Sequence, residues 1–412
     1  MKRIDFENGN IVSNILKAAL PMLVAQIMSL LYNIVDRVYI ARIPDVGTTA
    51  LGAVGLCFPI IVIITAFSNL FGTGGAPIFS IERGKGNHAK AGLLMNTSFT
   101  LLALCAVILM IAGLLFARPI LVLFGASDAG LAYAYPYLMI YLLGTFPSMA
   151  ATGMNPFINA QGYATTGMTS VIIGAVANLL LDPLFIFVFG LGIKGAAIAT
   201  IISQTLSAAF VLYFLHYKAE YRIRFLSKTE LTSCGEDAKN IVSLGTAGFI
   251  MQLTNSLVTI CANNVLSVTG GDVYISVMTI ISSVRQMVET PIYAITEGSS
   301  PIISYNYGAK NASRVRAAFK LLLKVSLLYS TILWLFIMCF PKVFASIFTT
   351  DAALIAFTKD ALRYYLAALF MFGIQIACQM TFNALGNAPA SILVAIMRKF
   401  VLLLPLIFIL PH

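Results

Sequence analysis

Two aspartates lie within long apolar stretches of this sequence, where an ionised side chain is unfavourable. Asp182 falls in the apolar run from Met168 to Gly190, and Asp36 falls near the end of the first apolar run. An ionised side chain at the centre of a bilayer costs about 2.5–3.5 kcal/mol on insertion scales. A bound cation or a bound proton would offset that cost. The two residues therefore predict a site that reversibly binds Na⁺ or H⁺.

Asn178 and Thr200 are predicted to lie at the same depth as the two aspartates. Asn178 precedes Asp182 by four residues, so the two share one helix face. Counted from the outer ends of their apolar runs, Asp36, Asp182 and Thr200 lie about 10–12 Å below the outer surface, at 1.5 Å per residue. Two carboxylates, an amide oxygen and a hydroxyl form a hard, oxygen-rich set that suits Na⁺. The set also suits a proton, because burial and a second carboxylate favour the protonated form of an acid.

The elements that must position these residues are membrane-spanning helices. The chain has 412 residues, of which 59% are hydrophobic and 10% are charged, and its mean hydropathy is +0.91. Soluble domains carry about 25% charged residues, so this composition indicates an all-α polytopic membrane protein. Eleven spans are predicted, at residues 14–42, 51–80, 90–117, 131–153, 163–189, 193–217, 238–266, 275–305, 314–340, 357–380 and 389–410.

The distribution of lysine and arginine predicts a cytoplasmic N-terminus. With that orientation, sixteen of these residues fall on the cytoplasmic side and seven on the outer side, as the positive-inside rule requires. The net charge of +10 therefore reflects membrane topology and does not indicate nucleic-acid binding. We expect a monomeric, multi-pass protein of the cell (inner) membrane, surrounded by the lipid bilayer.

Two short motifs recur at the same spacing. The stretch Gly74–Ser80 is similar to Gly298–Ser304, and Asn159–Gly162 is similar to Asn383–Gly386, in both cases 224 residues later. Many secondary transporters are built from internal repeats, with the substrate site between them. An offset that spans an even number of helices predicts two repeats of the same topology.

The repeat divides the chain into three predicted parts. Residues 1–217 form an N-terminal lobe of six spans, here called the N-lobe. Residues 218–237 form a polar cytoplasmic linker, and residues 238–412 form the C-lobe. The C-lobe contains five spans, so we expect a twelfth span to be missing from this chain through truncation of the expressed segment or of the gene.

The sequence resembles the multidrug and toxic compound extrusion (MATE) family over nearly its whole length. The resemblance rests on Leu20-Pro21 and Asp36 in the first span, on the repeated Gly-x-x-Pro-Ile-x-Ser motif, and on Asn178 with Asp182-Pro183 in the fifth. It implies two six-helix lobes around a central cavity, and export of organic, often cationic, compounds in exchange for Na⁺ or H⁺. It also implies that Asp36, Asn178, Asp182 and Thr200 form the cation site of the N-lobe.

Further residues are candidates for supporting roles. Tyr32, four residues before Asp36, and Tyr137 are predicted neighbours of the cation site. Pro21 removes a backbone hydrogen bond and is the predicted hinge of the first span. The substrate cavity is predicted to include Glu289, Arg285, Gln252 and Met287. Glu289 is the preferred residue for binding an organic cation, but Arg285 and Glu289 also have the spacing of an internal ion pair.

Several function classes are excluded or kept as alternatives. The chain has no GxxxxGK[ST], HExxH or GxSxG motif, so an ATP-driven pump or an enzyme is not predicted, and no cofactor beyond the coupling ion is expected. A flippase for lipid-linked saccharides, from the same superfamily, is the main alternative. A non-transporting receptor and an inactive remnant are the others. The natural substrate and the choice between Na⁺ and H⁺ stay open.

Overall fold

The computed structural model describes residues 3–44, 46–126, 128–348 and 351–409, and helix is the regular secondary structure found throughout these ranges. The prediction of an all-α membrane protein is confirmed. The α-helices are α1 Ile11–Ala41, α2 Gly47–Gly84, α3 His88–Leu123, α4 Asp128–Leu143, α5 Thr145–Ala160, α6 Ala164–Pro183, α7 Gly192–Tyr213, α8 Lys228–Ser233, α9 Gly235–Gly308, α10 Ala312–Cys339, α11 Pro341–Ser346, α12 Ala352–Tyr365, α13 Phe372–Ala384, α14 Ala388–Ile396 and α15 Leu404–Ile409. Short π-helical segments follow α6, α7 and α14, at Leu184–Val188, Phe214–Lys218 and Met397–Leu403.

Eight helices in the described part of the chain are long and apolar enough to cross a membrane, and the bent pair α12 and α13 makes a ninth. Three of the eleven predicted spans differ from simple long helices. Residues 357–380 fall in the bent pair α12 and α13. Residues 131–153 contain a break at Gly144, between α4 and α5. Residues 275–305 belong to the long helix α9, which carries three charged side chains there. Leu410, the last residue of the predicted eleventh span, lies outside the described residues.

Helix α9 contains 74 residues, yet its two ends lie close to each other. The backbone of Leu70 in α2 contacts Gly245 near the start of α9, and the backbone of Ile81 contacts Gly308 at its end. A straight helix would separate Gly245 from Gly308 by about 95 Å at 1.5 Å per residue, whereas Leu70 and Ile81 are about 16 Å apart in α2. The chain therefore reverses direction within α9, as two consecutive spans require.

Two glycines allow α2 and α9 to cross closely at one end of the molecule. A Cβ atom on Gly84 would overlap the carbonyl oxygen of Tyr305, and a Cβ on Gly308 would overlap that of Ile81. Gly84 and Gly308 are 224 residues apart, as are Ile81 and Tyr305, so the two contacts are related by the offset seen in the sequence. The two helices thus close this end, which is predicted to be cytoplasmic.

The N-terminal segment before α1 lies across the same closed end and contacts both lobes. The amide of Ile4 donates to the carbonyl of Gly162 at 2.9 Å, and the side chain of Asn306 donates to the carbonyl of Phe6 at 2.9 Å. The guanidinium of Arg83 lies 5.5 Å from the ring centroid of Phe6 and 5.3 Å from that of Tyr305. These contacts connect the two lobes where α2 and α9 cross.

Large apolar side chains cover the outside of the helices. Leu104, Leu115 and Leu180 are 60%, 71% and 68% exposed. Continuous exposed apolar surface of this kind is unfavourable in water and is typical of a membrane interface. The helices therefore present lipid-facing surfaces, while the polar residues described next are enclosed between them.

Candidate functional site

The packing of α1 along α6 brings the two predicted aspartates together. Asp182 is fully buried, and its carboxyl group interacts directly with that of Asp36. Arg37, the basic residue next to Asp36 in sequence, lies 5.7 Å from the ring centroid of Phe58. Two carboxyl groups in contact can form a hydrogen bond only when one carries a proton, and otherwise they require a cation between them.

Asn178 provides the third polar group of the site. Its amide nitrogen donates a hydrogen bond to Asp182 Oδ1 at 3.2 Å, as the four-residue spacing predicts. Three buried oxygens then have no hydrogen-bond donor within the described residues: Asp36 Oδ1, Asn178 Oδ1 and Asp182 Oδ2. Unpaired buried oxygens are unfavourable. A group of acceptors that lacks donors is the arrangement that a hard cation or a proton would complete.

The other residues predicted for the site surround it at different distances. The Thr200 hydroxyl donates to the carbonyl of Ala196 at 2.9 Å, and its side chain lies on the wall of a central cavity together with Asn178. Tyr32 lines the same cavity. Tyr137 is buried, interacts electrostatically with both aspartates, and stacks on Tyr141 with ring centroids 6.3 Å apart. No described contact joins Thr200 to the carboxyl pair.

The central cavity has a volume of about 610 Å³. Residues from both predicted lobes line it, including Asn178, Thr200, Gln252 and Glu297. Among the described residues on its wall, Glu297 is the one charged side chain, and it accepts a hydrogen bond from Gln26 of α1 at 3.0 Å. Ligand pockets commonly enclose about 300–1,000 Å³, so a drug-sized organic molecule fits this space.

The cavity includes one of the four residues that the sequence suggested for substrate binding. Gln252 lines it and accepts a hydrogen bond from Asn69 of α2 at 3.2 Å. Glu289 and Arg285 do not line it. They form an ion pair with atoms 3.6 Å apart, which is the alternative that their spacing allowed. Met287 does not line it either and is 47% exposed on the outer surface of the helix.

Glu297 lines the cavity, whereas the sequence favoured Glu289, another acid of the same predicted span. Its spacing of eight residues from Glu289 places both on a similar helix face, so periodicity alone could not choose between them. The distinguishing signal is its position one residue before the Gly298–Ser304 motif. Gly298 contacts the backbone of Ala19 in α1, and this close approach sets Glu297 against Gln26 at the boundary between the lobes.

The buried carboxyl pair and the cavity are connected through one side chain. Asn178 donates its amide to Asp182 on one side and lies on the cavity wall on the other. A change in the charge or occupancy of the aspartates would therefore alter the hydrogen bonding of a cavity-lining residue. This arrangement can connect ion binding to substrate binding without direct contact between the two ligands.

Comparison with known proteins identifies relatives along nearly the whole chain. A family model described as MatE matches residues 21–184 and 247–409. The chain is 25% identical over 412 residues to the multidrug export protein MepA of Staphylococcus saprophyticus, covering 98% of this chain and 88% of the relative. It is 26% identical over 404 residues to an FAD transporter of Shewanella oneidensis, covering 95% and 86%.

Solved structures show the same fold. A crystal structure of MATE in the bent conformation matches with a TM-score of 0.90 at 23% identity, covering all of this chain and 90% of that one. An outward-facing multidrug resistance MATE transporter of the MOP superfamily matches with a TM-score of 0.87 at 24% identity, covering 97% and 88%.

Proposed function

The chain belongs to the MatE family, and we propose that it is a secondary active antiporter that exports small organic cations or drugs in exchange for Na⁺ or H⁺. Its relatives include multidrug export proteins, so it is a multi-pass membrane transporter and not an enzyme. Two neighbouring features carry the proposal. A central cavity has one acidic side chain among the described residues of its wall, and a buried carboxylate site beside it includes Asn178, which also lines the cavity.

The charge on the cavity wall supports the proposal that the substrate is a cation. Glu297 places one carboxylate on a wall that is otherwise uncharged among its described residues, and a carboxylate in a low-dielectric cavity attracts an organic cation. Apolar and aromatic side chains such as Met22, Phe58 and Met380 share the wall with amide and hydroxyl groups. A relative is named for FAD, but the charge of Glu297 favours cations over such an anionic cargo.

The carboxylate pair supports the coupling role. Na⁺ or H⁺ entering from outside would be held by Asp36 and Asp182, with oxygens of Asn178 and Thr200 as further ligands for Na⁺. Ion binding would release Asn178 from its hydrogen bond to Asp182 or reorient it, which changes the cavity wall. We propose that this change favours release of the substrate, with bending of α1 at Pro21 as the accompanying movement.

Efflux from sealed vesicles tests the proposal. Vesicles that contain the protein are loaded with ethidium, an organic cation, and an inward Na⁺ gradient or an inward proton gradient is then imposed. We expect one of the two gradients to drive ethidium out and so to identify the coupling ion. Absence of efflux with either gradient would contradict the proposed antiport.

Replacement of the cavity acid gives a second test. We expect Glu297→Gln to weaken ethidium binding about tenfold to 100-fold, because hydrogen bonds to charged groups contribute about 1.5–3 kcal/mol. Binding is measured by fluorescence anisotropy on the full chain in detergent. Glu236→Gln, at the start of α9, is the matched control and should bind ethidium as the unmodified protein does. Equal affinity in both variants would remove Glu297 from the substrate site.

A further inference from the structure

The C-lobe contains a group of charged side chains that the proposed transport cycle does not use. Arg285 and Glu289 of α9 lie near Arg398 and Lys399, and the four interact electrostatically. Among the side chains that the structure describes here, three positive charges therefore face one negative charge. We call Arg285, Glu289, Arg398 and Lys399 the C-lobe cluster.

Neutral side chains take up part of the excess positive charge. Lys399 is 3% exposed, and its ammonium group donates to Asn255 Oδ1 at 2.5 Å. Arg398 donates to Gln375 Oε1 and lies 5.6 Å from the ring centroid of Phe372. These contacts solvate the two cations but supply no negative charge. The Nε of Arg285 is buried and has no hydrogen-bond partner within the described residues.

The backbone around Lys399 has a feature common at binding sites. Residues Met397–Leu403 form a π-helical segment, and π-bulges in helices occur frequently at functional sites. Lys399 lies eleven residues into the span that starts at Ala388, which is about 16 Å at 1.5 Å per residue. That depth is close to the middle of a hydrocarbon core of about 30 Å, beyond the reach of lipid headgroups.

The cluster lies outside the described lining of the central cavity but close to one of its walls. Asn255, the partner of Lys399, lies one helical turn from Gln252 on the cavity wall, and residues at this spacing share a face. Gln375, the partner of Arg398, donates to Gln379 at 2.5 Å, next to Met380 on the same wall. Glu289 and Glu297 are eight residues apart, or about 12 Å along the helix. A ligand that contacts both Glu297 and the cluster would therefore extend beyond the described wall of the cavity.

We infer that the C-lobe cluster binds an anionic group, a carboxylate or phosphate, of a zwitterionic substrate whose cationic end lies at Glu297. The inference rests on the proposed function and narrows its substrate class. The anion would add the negative charge that the cluster lacks, and it would accept hydrogen bonds from Arg285, Arg398 and Lys399.

Two dyes that differ in a single group test the inference on the full chain. Rhodamine B carries a delocalised cation and a free carboxylate, and its ethyl ester carries the cation alone. We expect rhodamine B to bind at least about tenfold more tightly than its ester, since a charge-assisted hydrogen bond of ordinary strength gives such a ratio. Lys399→Met and, separately, the more exposed Arg285→Gln should bring the ratio close to one while the affinity for the ester is retained.

The controls separate the possible failures. Lys324→Met replaces an exposed lysine of α10 and should keep the ratio of the unmodified protein. Retained ester binding in Lys399→Met and Arg285→Gln shows that those variants are folded. If the ester binds but rhodamine B is not preferred, or if the preference survives both substitutions, the inference is overturned and the proposed function stands. If neither dye binds, export of organic cations is contradicted, and the inference falls with it.

Discussion

Asp182→Asn is expected to slow gradient-driven efflux by at least about tenfold while the protein still binds its substrate. The substitution preserves the size of the side chain but removes the charge that attracts Na⁺ and the basic oxygen that accepts a proton. Loss of one charged interaction of about 1.5–3 kcal/mol lowers ion affinity about tenfold to 100-fold. Initial rates of ethidium efflux under the driving gradient should fall by at least that factor, and equilibrium binding of ethidium should change little.

Asp36→Asn should slow gradient-driven efflux to a similar extent. The double variant should be about as slow as either single variant, because both residues belong to one site and effects at a shared site are not additive. Asp360→Asn is the matched control. Asp360 is exposed in α12, so its replacement should leave efflux unchanged. Normal ion-driven efflux in the double variant of Asp36 and Asp182 would refute the coupling role of the pair.

Combined replacement of Gly84 and Gly308 by alanine is expected to open the closed end of the molecule. Each new Cβ would overlap a backbone carbonyl, of Tyr305 or Ile81, and a backbone atom cannot rotate out of the way as a side chain can. Overpacking of this kind costs about 1–3 kcal/mol per site. The closed state should lose about 2–6 kcal/mol in total, enough to shift a two-state equilibrium by about one to four powers of ten.

Spin labels can measure this change directly. Ala89 and Ser313 are exposed in the first turns of α3 and α10 and are 224 residues apart. With cysteine at both positions, in a background without the native cysteines, the Gly84→Ala, Gly308→Ala protein should show a longer label-to-label distance than the parent. Its thermal unfolding midpoint should also fall.

Gly55→Ala in the same helix α2 is the control for adding a methyl group. No atom lies within 4 Å of a Cβ built on Gly55. Because alanine is more favourable than glycine inside a helix by about 0.5–1 kcal/mol, this variant should be slightly more stable and should keep the parent distance. If the Gly84→Ala, Gly308→Ala protein behaves like Gly55→Ala, the close crossing does not hold the end shut.

Signals within the sequence were enough to predict the membrane class. They also identified the two aspartates of the proposed cation site, whose role stays a prediction. A bilayer forces hydrogen-bonded helices of about 20 apolar residues, so spans appear directly as apolar runs. An acid inside such a run is conspicuous because it is unfavourable there. The four-residue spacing of Asn178 and Asp182 likewise fixed a hydrogen bond within one helix. The division into lobes of six spans, with residues 1–217 and 238–412, stays a prediction.

The contacts between helices could not be predicted from the sequence and are seen only in the tertiary structure. Asp36 and Asp182 meet because α1 packs along α6, and depth arguments give the height of a residue but not the direction in which it faces. For the same reason the sequence favoured Glu289 over Glu297. The packing of Gly298 against α1 turned Glu297 into the cavity, whereas Glu289 pairs with Arg285. The sequence by itself determined which residues are too polar for their surroundings, since burial in a membrane penalises charge wherever it occurs. Only the packing of the helices decided which of those charges face one another and which face the cavity.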